Sequence, residues 1–528
     1  MILLPMLPTE RAVFDEELAL GYDNALKQAN RFWGKPKPQT AAIVDTPEPG
    51  INATIEHSVK FIDVLSERNP ATGDSSFVLG SLRYSGMYPT PNALMCVKLM
   101  DTMGFHQDVG RHLEIFRKYQ GTIMPPGDVF EMHPGYYGTP KLLLDYCDWL
   151  SDHGATLYAV CMHALLSGDK DFIDRWTDSI VKACEFIQYA RAITGHGGVE
   201  GVMPSAIFTD TPTKPQAGWN DGYTYKGLTT AVRLLKKIGH PRAAEFMKEA
   251  EDYKAAFQKA FRARAAEMPT WKDAEGQEHP FVPMGVSGDE TFELLHCAFY
   301  LDKGPIMLVW TGLLDADDPL MKSLLCWFRE GPPTRYYRKD ASLGLLPSLH
   351  HEMSSCEPQD SFNVFHSHQL GDREKYLEGL YSIFAGGVSR QTYTACEGRG
   401  GVTGLIFPVG AYLVRLAVID DDIKEDELHL LRLVPKAWLR SDRETIFDNM
   451  PTVFGPVSLR FSLSQDGKML KITFKPDFRK GEQPKRIVFH TPPVDGLEEI
   501  VVNGKTLPAD SGGKCIWSRN KQEKQTKG

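Results

Sequence analysis

The sequence predicts a mainly α-helical body followed by a small antiparallel β-sandwich. Two patterns carry that reading. Up to about residue 425, segment after segment sets apolar residues at i, i+3, i+4 and i+7, the repeat of a helix that buries one face. After about residue 428 the repeat becomes two, in VSLRFSLS, KMLKITFK, KRIVFHT and EEIVVNG, as in a half-buried strand.

Taken in order, the helical pattern runs through PNALMCVKLMDTMG, HLEIFRKYQG, LYAVCMHALLSGD, FIDRWTDSIVKACEFIQYA, GLTTAVRLLKKIG, RAAEFMKEAEDYKAAFQKAF and REKYLEGLYSIFAGG. Gly104, Gly168, Gly239 and Gly387 stand near helix ends. The helices come in pairs. A short turn such as SGDKD or GHPRA joins two members, and a long loop rich in Gly, Pro and aromatic residues leads to the next pair. Long loops on a compact helical body are usually functional. In the β part, Asp466-Gly467 marks a hairpin and Asn503-Gly504 a further turn. The expected division is residues 1–428 for the helical body with its lead-in, 429–515 for the sandwich packed on its side, and 516–528 for a polar tail.

Composition narrows the function classes. The 528 residues carry 59 basic and 68 acidic side chains, a formal charge of −9, which leaves no basic footprint for nucleic acid or an anionic membrane. The longest apolar stretch, VTGLIFPVGAYLVRLAVI, holds Pro408 and Arg415 and reads as a core helix, not a membrane span. The nine cysteines are odd in number and show no CxxC spacing. Several, such as Cys161, sit in apolar helical pattern and read as buried free thiols, which leans towards a reducing compartment. MILLPMLPTERAVFDEE lacks the basic and apolar regions of a signal peptide. No GxGxxG, Walker A or GxSxG pattern occurs, so neither nucleotide-dependent chemistry nor a serine hydrolase is expected.

Five segments in order resemble the six-hairpin glycosidases, and among them the α-L-rhamnosidases and neighbouring bacterial exo-glycosidases. These are TPEPGINATIEHSV, LRYSGMYPTPNALMCVKLMDTMGF, HGATLYAVCMHALLSGDKDFI, AGWNDGYTYKGLTTAVRLLKKIGHPRAAEFMKEAEDYKAAFQKAF, and QTYTACEGRGG with the helix and LHLLRLVPKAW that follow it. The resemblance spans about residues 10–510 and implies an (α/α)6 toroid of six helical hairpins, a carbohydrate substrate, no cofactor and a C-terminal sandwich. Two departures stand out. The stretch LRYSGMYPTPNA, which resembles the segment bearing that family's acid motif, has no carboxylate. These enzymes commonly carry a large β-domain before the barrel; this sequence starts almost at the barrel, so that domain is expected to be either absent or removed.

Hydrolysis of a glycosidic bond needs one carboxylic acid to protonate the leaving oxygen and a second carboxylate to activate water or attack carbon. The loops offer four candidates. Glu397, in TYTACEGRGG, is flanked by glycines that let a sugar approach and has Arg399 two residues on; the resemblance places it as the late general base. A structural carboxylate held by Arg399 is the plainer reading. Asp221, in AGWNDGYTYKG, is the first candidate for the acid, with Trp219, Tyr223 and Tyr225 flanking it as a candidate sugar platform, although NDG also reads as a turn or a helix cap. Glu131, in PPGDVFEMHPGYYG, and Glu200, in GHGGVEGVMPS, stand behind it as acids or sugar contacts, and Tyr136 and Tyr137 are candidate sugar contacts. Asp152-His153 reads first as a helix cap, with projection into the cavity as the alternative, and Trp149 and Trp176 read as core. The segment 335–369 adds Arg335, Arg338 and His351 as substrate contacts; its His350, His351, Glu352, His366 and His368 fit no helical zinc spacing such as HExxH, so no metal is expected.

These residues point to a glycoside hydrolase; action from the non-reducing end of a glycan and inversion are what the resemblance implies. Two alternatives follow from the same residues. One is a polysaccharide lyase, sugar epimerase or phosphorylase on the same barrel, using Tyr223, Tyr225, His351 or Arg335; the other is an inactive glycan-binding protein.

Overall fold

The computed structural model describes residues 10–69, 72–78, 89–140, 148–208, 213–288, 304–330, 362–389, 391, 393, 407–507 and 514–517. The chain divides into two compact units, Met1–Ala41 and Ala42–Gly528. The first unit holds helix α1 (Arg11–Trp33), which has no buried residue and breaks at Gly21, where φ is 69°.

The second unit is the (α/α)6 toroid with its sandwich. Strand β1 (Ile43–Asp45) and helix α2 (Pro49–Leu65) open it, and the small hairpin β2 (Ser66–Arg68) and β3 (Ser75–Phe77) follows. Helix α3 starts at Pro89–Leu94 and continues in π-helical turns over Met95–Asp101. Then come α4 (His106–Tyr119), α5 (Ser151–Ser167), α6 (Lys170–Ala192), strand β4 (Gln216–Ala217), α7 (Gly218–Lys237) and α8 (Ala243–Ala266). Three short strands, β5 (Thr270–Lys272), β6 (Glu278–Pro280) and β7 (Gly285–Ser287), precede α9, which is a 3-10 turn Pro305–Met307 running into Leu308–Thr311. Helices α10 (Pro319–Glu330), α11 (Phe362–Leu370), α12 (Arg373–Ser382) and α13 (Phe407–Val418) complete the ring.

Inner and outer helices are told apart by burial. All of α5 is buried except Met162 and Ser167, whereas α6 buries only a stripe containing Phe172, Trp176, Ile180, Ala183 and Ile187. The inner helices are α3, α5, α7, α9, α11 and α13, with α4, α6, α8, α10 and α12 outside the first five. The sixth inner helix, α13, pairs with α2, so the two ends of the helical segment close the ring. Short turns join inner to outer helices by a repeated device. Gly168 (φ 64°) ends α5 in a left-handed residue, and Asp169 at once caps α6 by accepting from the Phe172 amide. Gly371 (φ 73°) and Asp372 do the same between α11 and α12, with Asp372 accepting from Lys375 N. The connections from an outer helix to the next inner one consequently start and finish at the opposite end of the ring, as the described helix ends show.

The β part starts with β8 (Ile419–Asp420) and β9 (Glu427–Leu430), which follow α13 directly. It continues with β10 (Thr445–Met450), β11 (Val457–Leu463), β12 (Met469–Pro476), β13 (Arg486–His490), β14 (Glu499–Val502), β15 (Lys505–Thr506) and β16 (Lys514–Trp517). One sheet runs β1-β10-β11-β12-β14-β15 and the other β16-β13-β9-β8. Both turns read in the sequence are there: β11 and β12 pair antiparallel around Gly467 (φ 73°), and β14 and β15 around Asn503 (φ 50°) and Gly504 (φ 79°). Leu470, Ile472 and Phe474 alternate inward along β12, and Phe474 meets Phe489 of the other sheet edge-on at 5.8 Å.

Three features differ from expectation. First, β12 pairs with β14, and β9 with β13, in parallel, because each connection crosses to the other sheet before returning. Second, β1 pairs with β10, so the sheet includes a strand from ahead of the helices. Third, the sandwich sits on the short-turn end of the toroid. Arg479 donates to the Leu165 and Leu166 carbonyls at 2.6 and 3.1 Å, satisfying the open C-terminus of α5, and Lys237 at the end of α7 pairs with Glu482 at 2.7 Å. The sandwich thus leaves the long-loop end uncovered by these contacts. Among the described residues, no helix is long and apolar enough to cross a membrane.

Candidate functional site

The long-loop end gathers the first turns of the inner helices. A polar network ties three of them together. Asp152, in the first turn of α5, accepts from the Thr90 amide and hydroxyl at 3.1 and 2.7 Å through one oxygen. Its other oxygen accepts from Thr139 Oγ1 and Trp149 N at 3.1 and 2.9 Å. Ser151 beside it accepts from the Trp219 indole at 3.0 Å, and its amide donates to Asn220 at 3.1 Å. Asp152 is therefore more than a helix cap: it fastens α3 and the 120–150 loop to α5. Burial pushes its carboxyl up to about 7, against the pull of the four donors towards the charged form.

Below this rim the axis is filled with aromatic rings. Trp219 and Tyr223 of α7 lie 5.0 Å apart, Tyr223 and Trp310 5.7 Å, Trp310 and Phe362 5.5 Å, and Trp310 and Tyr158 5.5 Å. Two ammonium groups sit on Trp310, Lys98 at 4.8 Å and Lys226 at 5.0 Å from the ring centre. Lys98 also lies 4.3 Å from the Phe365 ring, within the range where a cation is held by the negative face of an aromatic. Lys98 and Trp310 were not legible as site residues. Both sit in apolar helical runs, MCVKLMD and IMLVWTG, where only the three-dimensional closure of the ring shows an inward face.

The sequence-derived candidates divide by position. Glu397, Arg399, Arg335, Arg338 and His351 lie outside the described residues, as do His350 and Glu352. Trp219 and Tyr223 converge on the axis but are buried, with no open face towards solvent. Tyr136 and Tyr137 are core residues. Tyr136 packs on His153 and Phe186, and Tyr137 bonds Ser179 of α6 at 2.6 Å. Glu131 is exposed, with its backbone amide donating to Tyr189 of α6, and Glu200 is exposed and accepts from the Gly195 amide within its own loop. His366 and His368 do not meet: one contacts the Ala316 carbonyl and the other Asp420. Cys96, Cys161 and Cys184 are buried free thiols, and Cys326 is free and half-buried.

Asp221 stands differently from the expected turn residue. The segment GWNDGYTYKG is the start of α7, not a loop. On a helix a residue two positions along lies about 200° round, so Trp219 and Tyr223 face the axis while Asp221 and Tyr225 face the outer layer. Asp221 Oδ1 accepts from Tyr253 of α8 at 2.6 Å and from Met203 N at 3.0 Å, and Oδ2 has no partner among the described residues. Tyr225 meets the same Tyr253 edge-on at 5.9 Å. The aromatic neighbours of Asp221 in sequence are thus not all its neighbours in space. Burial pushes its carboxyl from 3.8 up to about 6, with the Tyr253 and Met203 bonds working against the shift.

That shift has a thermodynamic consequence. Between pH 3.8 and about 6 the folded chain keeps a proton that the unfolded chain has released. The stabilisation is full below the lower value and is lost as pH rises through the upper one, by about 3 kcal/mol. In Asp221→Asn this titration is gone. The stability of wild type relative to the variant, from urea midpoints, is expected to fall by that amount across the window. A difference that stays flat with pH would remove the shift.

These features define a class: a six-hairpin toroid with a polar rim at the long-loop end, an aromatic axis and a β-sandwich on the other end. No family model and no curated protein matches the sequence. Among solved structures, the GH78 family rhamnosidase of Bacillus sp. GL1 superposes with a TM-score of 0.58 at 11% identity, covering 88% of this chain and 44% of that one. The α-L-rhamnosidase from Dictyoglumus thermophilum gives 0.52 at 12% identity, covering 90% of this chain and 49% of that one. This chain therefore has the α-L-rhamnosidase-like glycosidase fold, and its aligned part spans about half the length of those two proteins.

Proposed function

We propose that the protein is a glycoside hydrolase that removes a terminal sugar from a glycan or oligosaccharide, with two carboxyl groups and inversion at the anomeric carbon. One observation supports this reading: the fold is that of a rhamnosidase, and among the described residues the inner helices all start at the same end of the toroid. A barrel closed on itself with loops at one mouth suits a pocket for the end of a glycan. In chain order the segments 331–361 and 394–406 each precede an inner helix, and Arg335, His351, Glu397 and Arg399 belong to them.

In this reading Glu397 is the general base and Arg335, His351 and Arg399 contact the sugar. The bonds of Asp221 to Tyr253 and Met203 fit a positioning residue that holds the 193–217 loop, and the proton donor is then Glu131 or Glu200, the two exposed loop carboxyls. Leaving-group dependence separates the roles. A donor variant spares activated aryl glycosides, which need little protonation, and fails on natural glycosides; a positioning variant loses both alike. Asp221→Asn is expected to behave as the second, and Glu131→Gln or Glu200→Gln as the first. The overall test is hydrolysis of a panel of aryl α- and β-glycosides, rhamnosides and mannosides included, followed by NMR of the product anomer. Sugar binding without turnover on any of them would replace this reading with the glycan-binding one.

A further inference from the structure

A second cluster of chemistry-bearing groups lies at the short-turn end, away from the loops. Asp101 is the last residue of α3 and His106 the first of α4, so the two flank the turn 102–105. His163 reaches them from α5 in the next hairpin. Nδ1 of His106 and Nδ1 of His163 each lie 2.8 Å from Oδ1 of Asp101. The three possible ligand atoms all fall within 4.8 Å of one another. The Asp101 and His163 side chains are 0% and 2% exposed, and His106 is 17% exposed, which gives the cluster one wet side.

As a purely hydrogen-bonded clamp the group is incomplete. Both imidazoles spend their Nδ1 protons on one oxygen, and Oδ2 of Asp101 is buried without any partner among the described residues. An unsatisfied oxygen on a buried carboxylate is costly, and a cation removes the cost. We propose that Asp101, His106 and His163 bind a divalent transition-metal ion of the Zn²⁺ class that staples the first two hairpins. Two imidazole nitrogens with one carboxylate suit that class, whereas Ca²⁺ and Mg²⁺ require mainly oxygen ligands. With ligands about 2.1 Å from a tetrahedral ion, neighbouring donor atoms stand about 3.4 Å apart. The observed 2.8 Å is the metal-free, hydrogen-bonded spacing. Opening both spacings by about 0.6 Å needs side-chain adjustments of His106, which is partly exposed at the first position of its helix, and of Asp101 relative to His163. In the bound state each imidazole offers its Nδ1 lone pair and carries its proton on Nε2. Gly110, on the facing side of α4, leaves that edge of His163 free of a side chain, since a Cβ there would stand 3.4 Å from Nε2. Water from the wet side supplies the fourth ligand.

The experiment uses the full chain, stripped with a chelator, dialysed and titrated with ZnCl₂ alone. One equivalent is expected to bind, with a rise in melting temperature, and Co²⁺ in its place should give the visible absorption of a four-coordinate site. His106→Gln retains a hydrogen-bond donor for Asp101 and should fold. Changes in groups that merely orient a ligand already cost about 10–100-fold in affinity, so loss of a ligand should weaken Zn²⁺ by at least that and abolish the melting shift. The proposal is overturned if wild type takes up no stoichiometric Zn²⁺, or if His106→Gln binds it as tightly, which would place the ion elsewhere, for example at His429 and His490 of the sandwich, whose ring nitrogens lie 2.9 Å apart.

Discussion

Glu397→Gln should reduce turnover on a natural glycan by about 10³-fold or more, the equivalent of about 4 kcal/mol in the barrier. The substitution keeps the size and shape of the side chain and removes only the oxygen that takes a proton from water. The base acts in the transition state, so the loss belongs in kcat, and affinity for the released sugar, measured by calorimetry, should remain. An activated leaving group does not rescue the variant, because water must still be deprotonated; this sets it apart from a proton-donor variant. Near wild-type turnover by Glu397→Gln would remove the two-carboxylate scheme and shift weight to a lyase, in which a Tyr, His or Lys serves as base.

The helical body was legible because its inner and outer helices both carry apolar repeats, and its short turns carry left-handed glycines next to capping aspartates. Gly168-Asp169 shows why: one residue ends a helix and the next begins another, so the sequence names the turn. The start of α7 was not legible in the same way. NDG has the chemistry of a turn, and the helix forms there because burial of Trp219 and Tyr223 outweighs local preference. The same override turned Tyr136 and Tyr137 from candidate sugar contacts into core. The Asp101–His106–His163 cluster was hidden for another reason. His163 is separated from Asp101 by 62 positions, and only the packing of neighbouring hairpins brings them together. Sequence pattern reports the face of an element well and the partner across the ring poorly.

That packing supplies the second large effect. Helices α5 and α7 touch backbone to backbone at two glycines. A Cβ placed on Gly154 would stand 2.4 Å from the Tyr223 carbonyl carbon and oxygen and the Thr224 nitrogen, and one on Gly227 would stand 2.5 Å from the Gly154 oxygen. The obstructing atoms are main chain within two buried helices, so no side chain can swing away. Gly154→Ala gains about 1 kcal/mol of helix propensity, but forcing two close-packed helices apart costs typically 1–3 kcal/mol and more where the backbone must move. Here the clash should win, and the variant is expected to lose about 2–4 kcal/mol, with Gly227→Ala falling in the same direction. Gly50, near the start of α2, is the control, because a Cβ there meets nothing within 4 Å. Gly50→Ala should be neutral or slightly stabilising. Urea midpoints of the three variants against wild type decide the matter: a Gly154→Ala protein as stable as Gly50→Ala would mean that α5 and α7 do not approach as closely as the structure places them. The rim is built on the same contact, since Ser151, Asp152, Trp219 and Asn220 all sit within the first turns of these two helices. Spreading the pair should therefore weaken sugar binding even at temperatures where the variant remains folded, and that coupled loss separates a shifted rim from a merely less stable fold.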